Sequence, residues 1–149
     1  MNKITIKFQR LAHAHDLALP SYATEGAVGM DIAAAIDRPI CLKPGTIMAI
    51  PTGFAMELPP EYEVQIRPRS GLALKHGVTI ANAPGTIDSD YRGEIKVILL
   101  NNGKRAFTIT RGMRIAQMVL AAVTIITPIE VQDLDKTERA TGGFGSTGL

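Results

Sequence analysis

YEVQIRPRSGLALKHG, residues 62–77, joins two kinds of segment back to back. In the first half Tyr62, Val64 and Ile66 alternate with Glu63, Gln65 and Arg67, a period of two that sends apolar side chains to one face of a strand and polar ones to the other. In the second half SGLALK, residues 70–75, lies between Pro68 and Gly77 and has room for one helical turn, with Ser70 placed to cap its N-terminus. That turn is too short to be a packing element, so the strand carries the information about the fold.

The same alternation recurs in both directions along the chain. Ile4, Ile6 and Phe8 face away from Thr5, Lys7 and Gln9; Ile95, Val97 and Leu99 form another row, and Ile115, Gln117, Val119 and Ala121 a further one. Each run ends near a breaker: Pro44-Gly45, Gly53, Pro59-Pro60, Gly77, Pro84-Gly85, Asn102-Gly103 or Gly112. Strand-length pieces in quick succession predict an all-β sandwich or barrel. A length of 149 residues with 46% hydrophobic content suits one domain and one core.

Charge and targeting signals narrow the partners. The net charge of +2 comes from 16 basic and 14 acidic residues spread along the chain, with no polybasic block to neutralise a run of phosphates, so nucleic acid is not an expected partner. The alternating N-terminus MNKITIKFQR is no signal peptide and no stretch is long enough to cross a bilayer, so a soluble, cytoplasmic protein without a membrane partner is expected. Cys41, the only cysteine, stands between Ile40 and Leu42 and is expected to be buried and inert. The composition changes at KTERATGGFGSTGL, residues 136–149, which divides the chain into a β-barrel domain over 1–135 and a flexible glycine-rich tail. Arg139, clustered glycines, Phe144, Ser146 and Thr147 give that tail groups suited to a phosphate and a base.

Five polar segments interrupt the apolar rows. NAPGTIDSDYRGE, residues 82–94, sets an amide, two nearby carboxylates, a phenol and a guanidinium in a strand-turn-strand pattern. Two readings of Asp88, Ser89 and Asp90 stay open: functional groups sharing a face, or turn formers bonding their own backbone. PRSGLA, residues 68–73, offers Arg69 and Ser70 at a helix start that suits an anion, or simply a capped turn. GAVGMDIAAA, residues 26–35, places Asp31 among apolar neighbours, where it needs a cation or hydrogen bonds. RGMRIAQMVL, residues 111–120, puts Gln117 on the row of Ile115 and Val119, where a core residue is expected. The tail is the fifth. His13 and His15 lie two apart, a spacing that would face them the same way on a strand, with no third ligand to make a metal site.

In this order and spacing the five segments, spanning residues 26–148, resemble the five motifs of the trimeric dUTPase family. GMDI is a weak match and PRSGLA and GMRIAQMVL are moderate; GTIDSDYRGE followed by GGFGSTG is highly specific. The resemblance implies a distorted jelly-roll β-barrel of the β-clip, dUTPase-like type, with one short helical turn and a flexible C-terminal tail. It also implies a homotrimer with active sites shared between subunits. The implied activity is cleavage of dUTP to dUMP and pyrophosphate with Mg2+, which limits uracil incorporation into DNA and supplies dUMP for dTMP synthesis. Asp88 is the implied general base, and Asp31 an outer-shell contact to the metal through water. Arg69, Ser70, Gln117 and Arg139 would meet phosphate charge, Asn82 would read uracil, Tyr91 would crowd out a 2′-hydroxyl and Phe144 would cover the base. Gly71, Gly85, Thr86, Ile87, Gly145, Ser146 and Thr147 are further implied substrate-binding positions. The tail departs from the family pattern at Ala140, where glycine is more usual.

Two other functions compete. A dCTP deaminase shares the fold and the triphosphate site but needs a glutamate placed to act on the cytosine amino group, where this chain presents Asp88 and DYRG. A nucleotide-binding regulator without catalysis could use the same pocket as a switch, against which the intact Asp88 argues.

Overall fold

The alternating rows become twelve strands among residues 3–144, the part of the chain that the computed structural model describes. In chain order they are β1 (Lys7–Arg10), β2 (Ser21–Tyr22), β3 (Met30–Ala33), β4 (Ile40–Leu42), β5 (Ile47–Pro51), β6 (Phe54–Glu57), β7 (Tyr62–Arg67), β8 (Val78–Ile80), β9 (Gly85–Ile87), β10 (Lys96–Asn101), β11 (Phe107–Ile109) and β12 (Arg114–Ala122). One helix, α1 (Ser70–His76), interrupts them. All pairings are antiparallel, in sheets ordered β1-β6, β5-β10-β8, β11-β4 and β2-β3-β12-β7-β9. The fold is therefore all-β, as the alternation predicts. No helix among the described residues is long and apolar enough to cross a membrane.

The sheets close over one core. Ile32 of β3, Leu42 of β4, Ile50 of β5, Val64 and Ile66 of β7, Val97 and Leu99 of β10 and Met118 of β12 all belong to it. Burying a side chain of this size contributes about 1.5–3 kcal/mol, so the inward rows supply most of the driving force. Helix α1 adds little: none of its residues is fully buried, though Leu72 packs partly on the core. It stops at Gly77, which takes the left-handed conformation at φ +68° and donates its N–H to the Ala73 and Leu72 carbonyls, and where a Cβ would fall 2.6 Å from the Gly103 backbone.

Four local expectations change. The hydrogen-bonded part of the first strand begins at Lys7 because its partner β6 ends at Glu57, opposite Lys7; burial still alternates through Ile4, Ile6 and Phe8. Cys41 is exposed, not buried. Ile40 and Leu42 pair with Ile109 and Phe107 and turn inward, and strand geometry sends the residue between them outward. His13 and His15 lie in and beside a 3-10 turn, Ala12–Ala14, not on a strand. In β12 the register slips between Arg114 and Ala116, so Ile115 and Ala116 are both buried and the inward row continues with Met118. Gln117 and Val119 fall on the opposite face, across from Arg67 and Gln65, so the amide does not replace a core residue.

Two polar contacts fasten the barrel. Asn101, fully buried, donates from Nδ2 to the Leu42 and Arg105 carbonyls at 2.8 Å each and accepts from the Gly103 N–H at 2.9 Å. Arg111 donates to the Asp16 carboxylate, to the His13 carbonyl at 2.6 Å and to the Ile36 carbonyl at 3.3 Å, stitching the 3-10 turn to the barrel.

Asn101→Ala should lower unfolding free energy by about 1–3 kcal/mol in a denaturant titration, because one buried carbonyl, one part-buried carbonyl and one N–H lose their partner. A loss below about 1 kcal/mol would show that water refills the site. The hydrogen bond from Arg111 holds the Asp16 carboxyl down at about 2. Because its folded value lies below the free value of about 3.9, the pair stabilises the fold at neutral pH and that contribution is lost as pH falls toward about 2. Asp16→Asn should therefore show a smaller drop in melting temperature than the parent between about pH 5 and about pH 2.5; equal drops would discount the pair.

Candidate functional site

The β8–turn–β9 segment that follows α1, a hairpin turn whose strands pair with β10 and β7 and not with each other, builds the first half of the site. Strand β8 leads into residues 81–84, where the Ala83–Pro84 bond is cis, and β9 returns along β7 with Gly85 opposite Ile66 and Thr86 opposite Gln65. Gly85 eases the close approach: a Cβ there would sit 3.3 Å from both Ile66 Cβ and Asn82 Nδ2, a tight contact. Beside the hairpin is a cavity of about 480 Å³ whose apolar lining includes Ile66, Ile80, Ile87 and Ile98. Its polar lining is Asn82, Thr86, Asp88, Tyr91, Glu94 and Lys96. A cavity of that size with amide, hydroxyl and carboxylate groups on its wall suits a small polar heterocycle and its sugar.

Strand β9 ends at Ile87, so strand alternation does not extend to Asp88 and Asp90. A turn takes over, closed by the Tyr91 N–H donating to the Asp88 carbonyl at 3.2 Å, with Arg92 Nη1 donating to the Ser89 carbonyl at 2.7 Å. Backbone groups thus make the turn. The exposed Asp88 carboxylate has no hydrogen-bond or ion-pair partner among the described residues.

The second half lies on the outer face of the five-stranded sheet. Register places Asp31 opposite Gln117 and Gln117 opposite Arg67, in one row across β3, β12 and β7. Asp31 accepts from Arg69 Nε at one oxygen and from Arg114 Nη1 at the other, each at 2.9 Å. Arg69 also donates to the Arg114 carbonyl at 3.2 Å. Gln117 Nε2 donates to the Pro68 carbonyl at 2.9 Å, bracing the segment that enters α1. Ser70 is the first residue of α1, not its cap: Arg69 holds the cap position with extended backbone and no side chain caps the helix. Ser70, Gln117 and Arg67 line a second cavity of about 540 Å³ with Ala83 and Pro84 of the hairpin, and Gly71 follows Ser70 in α1 with open space at its Cβ position.

One chain therefore brings the expected residues together as two groups, not one. Asn82, Gly85, Thr86, Ile87, Asp88 and Tyr91 line the first cavity, Ser70 and Gln117 the second, and the two cavities share no residue. In the tail Arg139 Nε donates to the Gly142 carbonyl at 2.9 Å and Phe144 is fully exposed; Gly145, Ser146 and Thr147 lie outside the described residues. Neither Arg114 nor Glu94 is among the residues expected from the sequence. Arg114 meets Asp31 only through the β3–β12 pairing, and no local pattern announces that. Glu94 has no such signal either, since it ends the polar run that begins at Asp88 and reads as part of it.

Among the described residues no three His, Cys, Asp or Glu side chains are grouped to hold a metal ion. Each Asp31 oxygen accepts one guanidinium hydrogen bond and keeps a lone pair for water. The donor set thus suits a hard cation carried by ligand oxygens and water, touched by one carboxylate from outside its inner shell.

The sequence model of the dUTPase family matches residues 15–148. The deoxyuridine 5′-triphosphate nucleotidohydrolase of Caulobacter vibrioides is 56% identical over 148 residues, covering 98% of this chain and 96% of that protein. The protein of that name from Caldanaerobacter subterraneus subsp. tengcongensis is 55% identical over 146 residues, covering 98% and 99%. Among solved structures, the Staphylococcus bacteriophage 80alpha dUTPase with dUpNHpp superposes with a TM-score of 0.87 at 23% identity, covering 99% of this chain and 100% of that one. A mutant dUTPase of phage phi11 of S. aureus, described as coordinating a structural Mg(II) ion, gives 0.78 at 21% identity over 89% of this chain and 100% of that one. At those identities the structures speak to the fold alone.

Proposed function

The chain belongs to the dUTPase family, and on that premise we propose that it hydrolyses dUTP to dUMP and pyrophosphate with Asp88 as general base. The observation that carries this reading is the Asp88 carboxylate: exposed, on the wall of the hairpin cavity, and without a partner among the described residues. Such a group is free to orient a water and take its proton. The water oxygen bonds to the α-phosphorus, the bond from that phosphorus to the β-bridging oxygen breaks, and pyrophosphate leaves with its electron pair.

Each step has residues proposed to serve it. Asn82 and the hairpin backbone read the uracil edge, while Tyr91 packs against the deoxyribose. Arg69, Ser70, Gln117 and Arg139 stabilise charge on the phosphates, the main form of catalysis open to phosphoryl transfer. Asp31 fixes Arg69 in orientation and is the residue that would touch Mg2+ through water; when bound, the ion supplies charge neutralisation to the triphosphate. Phe144 covers the base, and Gly145, Ser146 and Thr147 complete the closing tail.

We further propose that the active protein is a homotrimer with shared sites. The separation of the two groups of residues supports it. So does the segment after Val123, in which Ile125, Ile126, Ile129, Val131 and Leu134 are 51–86% exposed. Five large apolar side chains in about ten residues require a partner surface.

Incubated with dUTP, dCTP, dTTP and UTP and magnesium, the protein should release pyrophosphate from dUTP selectively and no ammonia from dCTP. Asp88→Asn should abolish that turnover and leave dUTP affinity largely intact, because the amide keeps the shape but cannot accept the proton. Ammonia from dCTP would move the chain to the deaminase branch, and weakened binding with retained turnover would remove Asp88 from the base role. Deleting residues 139–149 should lower kcat sharply while sedimentation still reports a folded trimer; dissociation or unfolding would make the tail structural.

A further inference from the structure

Gly29 stands two residues before Asp31, so along extended backbone the two positions face the same side of the sheet. Register sets Gln117 opposite Asp31, which makes Gly29 the diagonal neighbour of Gln117 on the outer face. The Gln117 side chain lies over that glycine: a Cβ at residue 29 would fall 2.4 Å from Oε1, 3.3 Å from Cδ and 3.4 Å from Cβ of Gln117. Those are the three nearest atoms, so every other group stands at ordinary contact distance or beyond.

The backbone makes no demand for glycine at this position. The glycines with positive φ are Gly45, Gly53, Gly77 and Gly112, and Gly29 is not one of them. Gly26, three residues earlier in the same segment, likewise has no positive φ, and nothing lies within 4 Å of its Cβ position. Of the two glycines in GAVG, residues 26–29, only the second is packed against, and the side chain that presses on it is Gln117.

On its other side the amide is held by Pro68, whose carbonyl accepts from Gln117 Nε2 at 2.9 Å. A carbonyl can only accept, so the amide nitrogen must face Pro68 and Oε1 is left toward Gly29. Nε2 carries a second hydrogen, available to a ligand oxygen in the cavity that Gln117 lines with Ser70. Gly29 itself is not on the wall of that cavity.

We propose that Gly29 is a positioning residue: the space left by its missing side chain lets Gln117 hold its N–H donor toward the triphosphate. The inference rests on the proposed role of Gln117 at the phosphates. A methyl group at residue 29 would have to drive Oε1 away by about 1 Å to reach ordinary contact, and the planar amide would carry Nε2 with it, a displacement of the size that costs catalysis heavily. Because the obstacle is the far end of a flexible side chain, the barrel need not move.

The test is a double-mutant cycle in the full-length protein, with dUTP and magnesium, reading kcat and KM together with melting temperature. Gly29→Ala should lower kcat roughly tenfold or more, with a smaller change in KM. Its melting temperature should be parental or slightly higher, since the backbone admits alanine. In a Gln117→Ala background Gly29→Ala should have no further effect, because the group it displaces is gone. Gly26→Ala should match the parent throughout. An impaired Gln117→Ala beside a parental Gly29→Ala overturns the positioning role and leaves the phosphate role of Gln117 standing. A parental Gln117→Ala overturns both. Additive losses in the double variant, or an equal loss in Gly26→Ala, place the effect outside the Gln117 contact and overturn the inference. So does failure of Gly29→Ala to fold, since something other than a mobile amide must then oppose the methyl.

Discussion

Strand β12 is hydrogen-bonded on both edges, to β3 and to β7, and that double pairing leaves it no freedom of register. Met118 must lie against Met30 and Ile66 in the core, so Gln117 must lie between Asp31 and Arg67 on the outer face. A slip of β12 by one residue would exchange its two faces, burying the Gln117 amide and exposing Met118. Hydrophobic burial on one face thus dictates polar geometry on the other. The bulge near Arg114 completes the arrangement by letting two successive residues, Ile115 and Ala116, both turn inward.

On that outer face one carboxylate sits between two guanidinium groups. Asp31 is 23% exposed, Arg69 27% and Arg114 60%, so solvent screens the attraction and such pairs contribute little to stability, about 0–1 kcal/mol. What the pairing does is hold direction. Arg69 has its Nε and one Nη engaged, which fixes the plane of the guanidinium at the start of α1. A cation fixed before ligand arrives costs less to organise around developing charge than one that must be gathered. Asp88, by contrast, carries no partner among the described residues, and this difference between two acids on one barrel fits the different roles proposed for them.

Much of the fold was legible from local pattern. Rows such as Tyr62, Val64, Ile66 and Ile95, Val97, Leu99 follow the strand period because each strand has one wet and one dry face. Cys41 shows the limit: apolar neighbours suggested burial, yet in a strand those same neighbours send the residue between them outward. Gln117 shows another, since counting by twos from Ile115 fails across a bulge that only the pairing with β3 reveals.

By itself the sequence determined the strand-rich class, the polar hairpin around Asp88 and, through five motifs in register, the family. These depend on residue type and short-range spacing, which the chain carries openly. Only the tertiary structure decided that Arg114 joins Arg69 on Asp31, that His13 reaches Glu94 behind the cavity, and that one chain keeps the hairpin residues apart from Ser70 and Gln117. Contacts across 83 or 81 positions are set by strand pairing and core packing, which local periodicity does not encode.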